Sequence, residues 1–456
     1  MKRISVIIAS CNLLTSMQSC IYTLHQVLPQ GQYELIVVDN ASHDGSVEWL
    51  RSQSDIKVIT NLKNMGMAVA WNQGIAVAQG KYLLFMHNDV ILTSGAYERM
   101  EEILLLDPSV GAVGPVFNRC RYRYQNVPDI TYRDFEGLQY FARSFEERRL
   151  EILPLMSLEN VCLLMRRETV QKVGLFDEQF QASGYEDVDY SMRLLQQGYY
   201  LLCVPVFVHH DPGSYERNHL DHNERAVVNQ KLFHQKWGFG AEYSTIIRRE
   251  LLQYMDLKKP ELAVLDIGCS CGGNLLAIKL QNDTAQLYGI ELNEQAAAIA
   301  QHFAEITATD VEHFANPDWQ GKFDYIIMAD ILEHLRNPWV ALTHVVQLLK
   351  PDGRLLVSIP NVMHISNVKN LLNGYWQYED AGILDRTHLR FFTKKTVEAM
   401  LVESGLKIER MAGRQVSLTK DQQACLEELT SLPQTKVSRE DLLAFQWMVL
   451  AERQSE

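Results

Sequence analysis

The sequence predicts an α/β protein built from two doubly wound units, and three observations carry that expectation. The chain has 456 residues, too many for one ordinary core and comfortable for two, at roughly 100–250 residues per domain. Short continuous apolar runs recur in both halves, each followed by a polar turn and a helical pattern. Such runs are strands buried on both faces, which means parallel sheets with helices above and below. Finally, a stretch of different texture, about 210–260, separates the two series.

Taken in order, the first series is ISVIIAS, YELIVVDN, IKVIT and KYLLFMHND, with VPVFVHH following at 204–210. The separating stretch opens with DPGSYERNHLDHNER and continues as two helix-like segments, AVVNQKLFHQKW and YSTIIRRELLQYM, broken at Gly238-Phe239-Gly240. Glycines at such a break cannot hold a helix cheaply, so the boundary is placed at Gly240, giving domains 1–240 and 241–456. The second series is LAVLDIG, AQLYGIE, FDYIIMAD and GRLLVSIP.

Composition narrows the class. Apolar residues make up 47% and charged residues 22%, a globular balance that excludes global disorder and collagen-like repeats. A net charge of -13 argues against nucleic acid as a partner. The eight cysteines are scattered, and the close pair Cys269 and Cys271 has one residue between them, too few for a CxxC site. That pattern fits a reducing compartment. The start, MKRISVIIAS, reads as a first buried strand and not as a signal peptide. No run approaches the ~20 apolar residues of a membrane helix. The expectation is a cytoplasmic protein, compatible with peripheral docking on the inner face of a membrane, and its oligomeric state is open.

Ligands of open α/β sheets bind at the carboxyl ends of the strands. In the first half these ends carry Ser10-Cys11-Asn12, Asp39-Asn40 and His87-Asn88-Asp89. Any one could be a simple turn; together they could line one crevice. Farther on, Glu186, Asp187 and Asp189 precede a helical stretch, where acids either favour the helix N-terminus or serve as a general base. His209-His210-Asp211 ends a strand, and an imidazole joined to oxygen ligands can hold a divalent ion.

The segments SVIIASCN, ELIVVDNASHDGSVEWL, NMGMAVAWNQGIAVAQGKYLLFMHNDV, MRRETVQKVGLFDEQF, GYEDVDYSMRLLQQGY and VHHDPGS resemble a family 2 glycosyltransferase with the GT-A fold, in the family's order, over about 1–240. The resemblance implies inverting transfer of a sugar from a nucleotide-diphosphate donor, usually with Mg or Mn. It implies that Ser10, Asn12, Asp39, Asn40, Asn88 and Asp89 bind the donor nucleotide, and that Asp89 and His209 hold the metal. Asp187, paired with Glu186, becomes the base that deprotonates the acceptor hydroxyl. His87 replaces the first acid of a full DxD, which implies weakened metal dependence. The segment 118–160 sits where the family varies and shapes the acceptor site.

In the second half, VLDIGCSCGGN places Gly268, Gly272 and Gly273 in a turn after a strand, as nucleotide, flavin and methyl-donor sites all do. Glu291 ends the next strand, where an acid suits a ribose diol. With FDYIIMADILEHL and KPDGRLLVSIPN, the half resembles a Rossmann-like class I S-adenosylmethionine-dependent methyltransferase, over about 250–456. The resemblance implies that Asp266, Gly268, Ser270, Gly272, Glu291, Leu292, Asp310, Val311 and Ala329 bind S-adenosylmethionine. Ser270 stands where the family usually has the middle glycine of its pattern. Base candidates for methyl transfer are His334, His364 and His388, with His334 preferred. Asp330, Glu333 and His334 are spaced so that one helical turn gathers them; some related O-methyltransferases hold a metal through such a group, though the Glu-His pair is more often structural.

The whole chain is thus expected to be a bifunctional enzyme of bacterial surface-polysaccharide biosynthesis, adding a sugar to a glycan or lipid-linked acceptor and O-methylating that glycan. Two alternatives stand beside it. The methyltransferase could act on another acceptor, a phosphate cap or lipid precursor, or one domain could be a catalytically silent binding module.

Overall fold

The computed structural model describes residues 3–127, 130–180, 184–211, 219–432 and 436–454. Most of the polar DPGSYERN stretch lies outside the described residues. The chain divides into two compact units, Met1–Ile246 and Ile247–Glu456. Ahead of the division, helix His219–Trp237 ends at Gly238, whose φ is +69° and whose N–H donates to the His234 carbonyl at 2.8 Å, a glycine C-terminus of the usual kind. Two short helices, Ala241–Ser244 and Arg249–Leu252, follow.

The first unit is one sheet of strands β1 (Ile4–Ser10), β2 (Tyr33–Asn40), β3 (Ile56–Asn61), β4 (Tyr82–His87), β5 (Val90–Ile91), β6 (Val110–Phe117), β7 (Leu153–Leu155), β8 (Cys162–Arg166) and β9 (Tyr200–His210). Their order is β3-β2-β1-β4-β8-β6-β9-β5, with β7 on β9. Strands β1 to β4 run parallel. Strand β8 is antiparallel to β4 and β6, so the sheet is mixed where an all-parallel one was expected. An apolar run records burial on both faces but not direction, and CLLMR reads the same either way. On one face Ile4, Val6 and Ile8 pack with Met17, Ile21 and Leu24 of helix Leu14–Val27. On the other, helix Met67–Val77 comes so close that a Cβ on Gly74 would sit 2.3 Å from Ile7 Cγ2. Register places Ser10 opposite Asp39 and Ala9 opposite His87, which brings the polar strand ends to one edge.

The second unit contains β10 (Ala263–Ile267), β11 (Gln286–Glu291), β12 (Glu305–Ala308), β13 (Phe323–Ala329), β14 (Leu349–Pro360), β15 (Leu406–Gln415) and β16 (Ala444–Arg453). The order is β12-β11-β10-β13-β14-β16-β15. The first five are parallel, and β16 inserts antiparallel between β14 and β15. The switch in strand order between β10 and β13 opens the crevice where ligands of such sheets bind. Its core joins Leu265, Ile326, Met328, Leu355, Val357 and Trp447. A smaller apolar cluster of Ile365, Leu426 and Leu442 ties down the helices that cover the far end. None of the eight cysteines is in a disulfide. Among the described residues no helix is long and apolar enough to cross a membrane.

Candidate active sites

At the edge of the first unit, β1 and β2 both end in left-handed backbone, with Asn12 at φ +60° and Ala41 at φ +61°. These turns free the strand ends to face one another. Asn88 Nδ2 donates to Ser10 Oγ at 3.1 Å and to the Asn12 carbonyl at 2.7 Å. The Asn12 N–H donates to Ser42 Oγ at 2.6 Å. Asp39 is fully buried and accepts from the Ser42 N–H at 2.9 Å and from the Ser42 hydroxyl, so its carboxylate closes the turn after β2. Asn40 Nδ2 donates to the Gly66 carbonyl at 3.1 Å, and its Oδ1 accepts from Asn61 at 2.9 Å. The structure therefore gathers Ser10, Asn12, Asp39, Asn40 and Asn88 around one edge.

Asp89 follows directly and is buried. The histidine beside it is His210, not His209: His210 Nε2 lies 3.5 Å from Asp89 Oδ1, while His209 Nδ1 and the Tyr132 hydroxyl are 2.5 Å apart. Successive side chains on a strand point to opposite faces, and the pairing of Val90 with His210 fixes which of the two faces Asp89. Ligand atoms of His87, Asp89 and His210 all lie within 4.8 Å of one another. The His210 Nδ1 is 3.1 Å from the Arg119 carbonyl, which leaves Nε2 turned toward Asp89. Burial holds the His87 imidazole neutral, its pKa pushed down to about 4.

Glu186 and Asp187 open helix Glu186–Gln196 after Gly184 and Tyr185, both at positive φ. Asp187 Oδ2 accepts from Arg121 Nη2 at 2.6 Å and from the Tyr122 hydroxyl at 3.4 Å. Glu186 Oε1 accepts from Asn160 Nδ2 at 2.9 Å, and Oε2 is buried without a partner. Burial, with the neighbouring Asp187, pushes the Glu186 carboxyl up to about 7. One carboxyl of the pair is thus kept ready to hold a proton while the other is ion-paired. Asp189, between Arg193, Lys236 and Trp237 Nε1, holds the helix in place. Arg121, Tyr122 and Asn160 were not singled out by residue; all three fall within 118–160, whose irregular sequence carries no periodic signal.

In the second unit the turn after β10 is wired to β11. The N–H groups of Gly268 and Cys269 donate to the Ile290 carbonyl at 2.8 and 3.2 Å. Glu291 accepts from the Ser270 N–H at 2.7 Å and the Asn293 N–H at 2.8 Å. Gly268, Ser270 and Gly272 all have positive φ, at +70°, +49° and +81°. Asp266, beneath the turn, is buried; burial pushes its carboxyl up to about 7, against the Asn274 amide donating at 3.1 Å. Leu292 stands 70% exposed beside Glu291. Asp310 accepts from the Glu312 N–H at 2.9 Å and caps a short helical turn beginning at Val311. Ala329 ends β13, beside the same crevice.

After β13 the acid-x-x-Glu-His spacing does not gather as expected. Asp330, at φ +57°, is held by Ser358 Oγ at 2.8 Å and by Arg248 and Gln446. Its place beside Glu333 and His334 is taken by His388, and the ligand atoms of these three lie within 4.8 Å. Glu333 is buried with neither carboxylate oxygen hydrogen-bonded, and burial, then Asp330, pushes its carboxyl well up. The His334 and His388 rings meet edge to face at 4.8 Å. His334 is exposed. His364 instead caps helix Ile365–Leu372, with Nδ1 2.7 Å from Ser366 Oγ.

Two family models match the chain: glycosyl transferase family 2 over residues 5–174 and a methyltransferase domain over residues 239–410. The ubiquinone biosynthesis O-methyltransferase of Rattus norvegicus mitochondria is 27% identical over 165 residues, covering 33% of this chain and 46% of that one. Glycosyltransferase AglE of Haloferax volcanii is 27% identical over 205 residues, covering 43% of this chain and 63% of that one. The chain thus spans about half of the first relative's length and under two thirds of the second's. A crystal structure of GalNAc-T7 with UDP, GalNAc and Mn2+ superposes with a TM-score of 0.37 at 18% identity, covering 46% of this chain and 44% of that one. The first match carries Ser10, Asn12, Asp39, Asn40, Asn88 and Asp89 and ends before Glu186, Asp187 and His210, and the second carries the turn after β10. The chain thus joins a segment matching glycosyl transferase family 2 to one matching a methyltransferase domain.

Proposed function

We propose that the chain is a bifunctional transferase: 1–240 transfers a sugar, with inversion, from a nucleotide-diphosphate donor to a glycan or lipid-linked acceptor, and 241–456 O-methylates the resulting glycan from S-adenosylmethionine. The observation that carries the reading is the pairing, in one chain, of a buried Glu186–Asp187 site with a Glu291-anchored turn. The relatives named as O-methyltransferases support methyl transfer to oxygen. The setting that fits is bacterial surface-polysaccharide assembly in the cytoplasm, with peripheral docking on the inner face of the membrane.

In the first unit Ser10, Asn12, Asp39, Asn40 and Asn88 hold the nucleotide. Asp187 takes the proton of the acceptor hydroxyl as it attacks opposite the diphosphate, and Glu186 orients the pair. Asp89 and His210 fit a divalent cation by donor type and spacing; when bound, the ion neutralises charge on the departing diphosphate. In the second unit the sulfonium donor supplies an activated methyl group. Glu291 has lone pairs left for two ribose hydroxyls, Leu292 offers an apolar cover for adenine, and Asp310 with Val311 borders its amine. Asp266, Gly268, Ser270, Gly272 and Ala329 line the methionine side. His334, exposed beside the crevice, accepts the proton of the methylated hydroxyl. Positioning supplies most of the rate, because the methyl group arrives activated.

The test is to incubate the chain with labelled S-adenosylmethionine and acceptor, with and without the nucleotide sugar. Label in the glycan that depends on prior glycosylation is expected. Label absent from the glycan would sink the coupling.

A further inference from the structure

We propose that His87 is a metal ligand, so that the first unit's cation site is a two-imidazole, one-carboxylate set that selects transition-metal ions such as Mn2+ or Zn2+ over Mg2+. The inference rests on the metal reading above and goes beyond it by naming the third ligand and the ion class. It also narrows the expectation that losing the first acid weakens metal dependence, because the loss falls mainly on Mg2+.

His87 closes β4, anchored by its N–H to the Val161 carbonyl at 3.0 Å. Its ring packs edge-on against Trp71 and His210, each with centroids 6.2 Å apart. These contacts fix the ring, yet its Nε2 is buried with no hydrogen-bond partner. A buried polar atom left without a hydrogen bond is destabilising, and a bound ion would relieve it. His87 offers one ring nitrogen to a group in which Asp89 and His210 also offer ligand atoms, all within 4.8 Å of one another. Metal–ligand bonds of about 2.0–2.2 Å need only a small side-chain movement to close that span. The other imidazole is oriented as well: His210 Nδ1 lies 3.1 Å from the Arg119 carbonyl, the arrangement that fixes an imidazole ligand and raises its basicity.

Donor chemistry then sets the preference. Asp89 is the one carboxylate of the three. Mg2+ demands oxygen ligands and sheds water reluctantly, whereas Mn2+, Fe2+, Co2+ and Zn2+ accept imidazole. Replacing an acid by His87 removes a negative charge and adds a nitrogen, so it costs Mg2+ more than it costs the others.

The test uses the full chain and metal salts alone. Mn2+ is titrated by electron paramagnetic resonance, nitrogen couplings are counted by electron-spin-echo modulation, and Mg2+ and Zn2+ are added in competition. Asp89→Asn in parallel identifies the ion of this cluster and separates it from one bound at Glu333, His334 and His388. Two imidazole couplings are expected, with Mn2+ displaced by Zn2+ but not by a hundredfold excess of Mg2+. His87→Gln should remove one coupling and weaken Mn2+ on the order of tenfold or more. His87→Asp should restore competition by Mg2+. If either variant fails to fold, the other and the wild-type coupling count still decide. A single coupling in wild type, or Mn2+ affinity unchanged in His87→Gln, overturns the role of His87 while the metal reading stands. No Asp89-dependent ion at all defeats the metal reading itself.

Discussion

The proposed function gives the carboxylates of Asp187, Glu291 and Asp266 three different tasks, and each task has its own expected signature in solution. Asp187→Asn keeps the size of the side chain and an acceptor for Arg121 Nη2, but it cannot take a proton. Sugar transfer should fall by about 10²–10⁴, the usual share of general-base catalysis, with the melting temperature and nucleotide affinity nearly unchanged; a variant that turns over normally removes Asp187 from the base role. Glu291→Ala strips the acceptors for the Ser270 and Asn293 amides along with those offered to the ribose. S-adenosylhomocysteine should bind roughly 10–100-fold more weakly by calorimetry, at about 1–3 kcal/mol for lost charged hydrogen bonds. Asp266 predicts a pH effect. Burial raises its carboxyl to about 7, above the ordinary value near 4. Below that ordinary value both folded and unfolded chains hold the proton and nothing is lost. Between that value and 7 the unfolded chain ionises while the folded one keeps its proton, so the folded state loses stability progressively and the penalty is complete above pH 7. Asp266→Asn should therefore raise the melting temperature at pH 8 and have little effect at pH 4, with a difference of roughly 2–4 kcal/mol between the two.

Among the elements, the turn after β10 is the most constrained. A Cβ on Gly268 would lie 2.0 Å from Ile331 Cδ1 at a φ of +70°, so steric overlap and left-handed backbone add. Gly268→Ala should cost about 2–4 kcal/mol and weaken S-adenosylhomocysteine binding; thermal melting checks the first and calorimetry the second. Ser270 shows what the same turn tolerates, since it already sits at φ +49° where a glycine would be relaxed. The strand feeding this turn, AVLDI of β10, was legible because its run is mostly apolar and buried along its length, as is YLLFM of β4 in the first unit, whereas IKVIT of β3 carries Lys57 and Thr60 and is only half-buried. Strands β6, β8, β15 and β16 were not singled out: GAVGPVF is broken by glycine and proline, and KIERMAGRQ is polar and half-exposed, so neither resembles a doubly buried strand. The histidines of β9 show a subtler limit. Two adjacent imidazoles on a strand must face opposite ways, but which one faces Asp89 depends on the pairing of β5 with β9, a long-range register that no local pattern records. The same holds for His388, separated from Glu333 by more than fifty residues of chain, and for Arg121, which reaches Asp187 from an irregular segment.

For the molecule as a whole, the separation into two units has a thermodynamic consequence. Each unit contains its own sheet and its own apolar core, and each has the size of an ordinary domain, Met1–Ile246 and Ile247–Glu456. Burial of that extent supports independent folding, since domains above about 150 residues bury most of their apolar surface internally. The two segments expressed separately should therefore each be folded, with a cooperative melt and the far-ultraviolet dichroism of an α/β protein. Ligand linkage then assigns the chemistry to a segment. A ligand that binds only the native state stabilises it by RT ln(1 + [L]/Kd), about 2.7 kcal/mol at a hundredfold excess over Kd. S-adenosylhomocysteine should raise the melting temperature of the 247–456 segment, and Glu291→Ala should abolish that shift. The 1–246 segment should be unmoved by S-adenosylhomocysteine and stabilised by a nucleoside diphosphate with Mn2+, an effect that Asp89→Asn removes. A nucleoside diphosphate that stabilised 247–456 instead, or S-adenosylhomocysteine that stabilised 1–246, would reverse the assignment of the two activities to the two sheets.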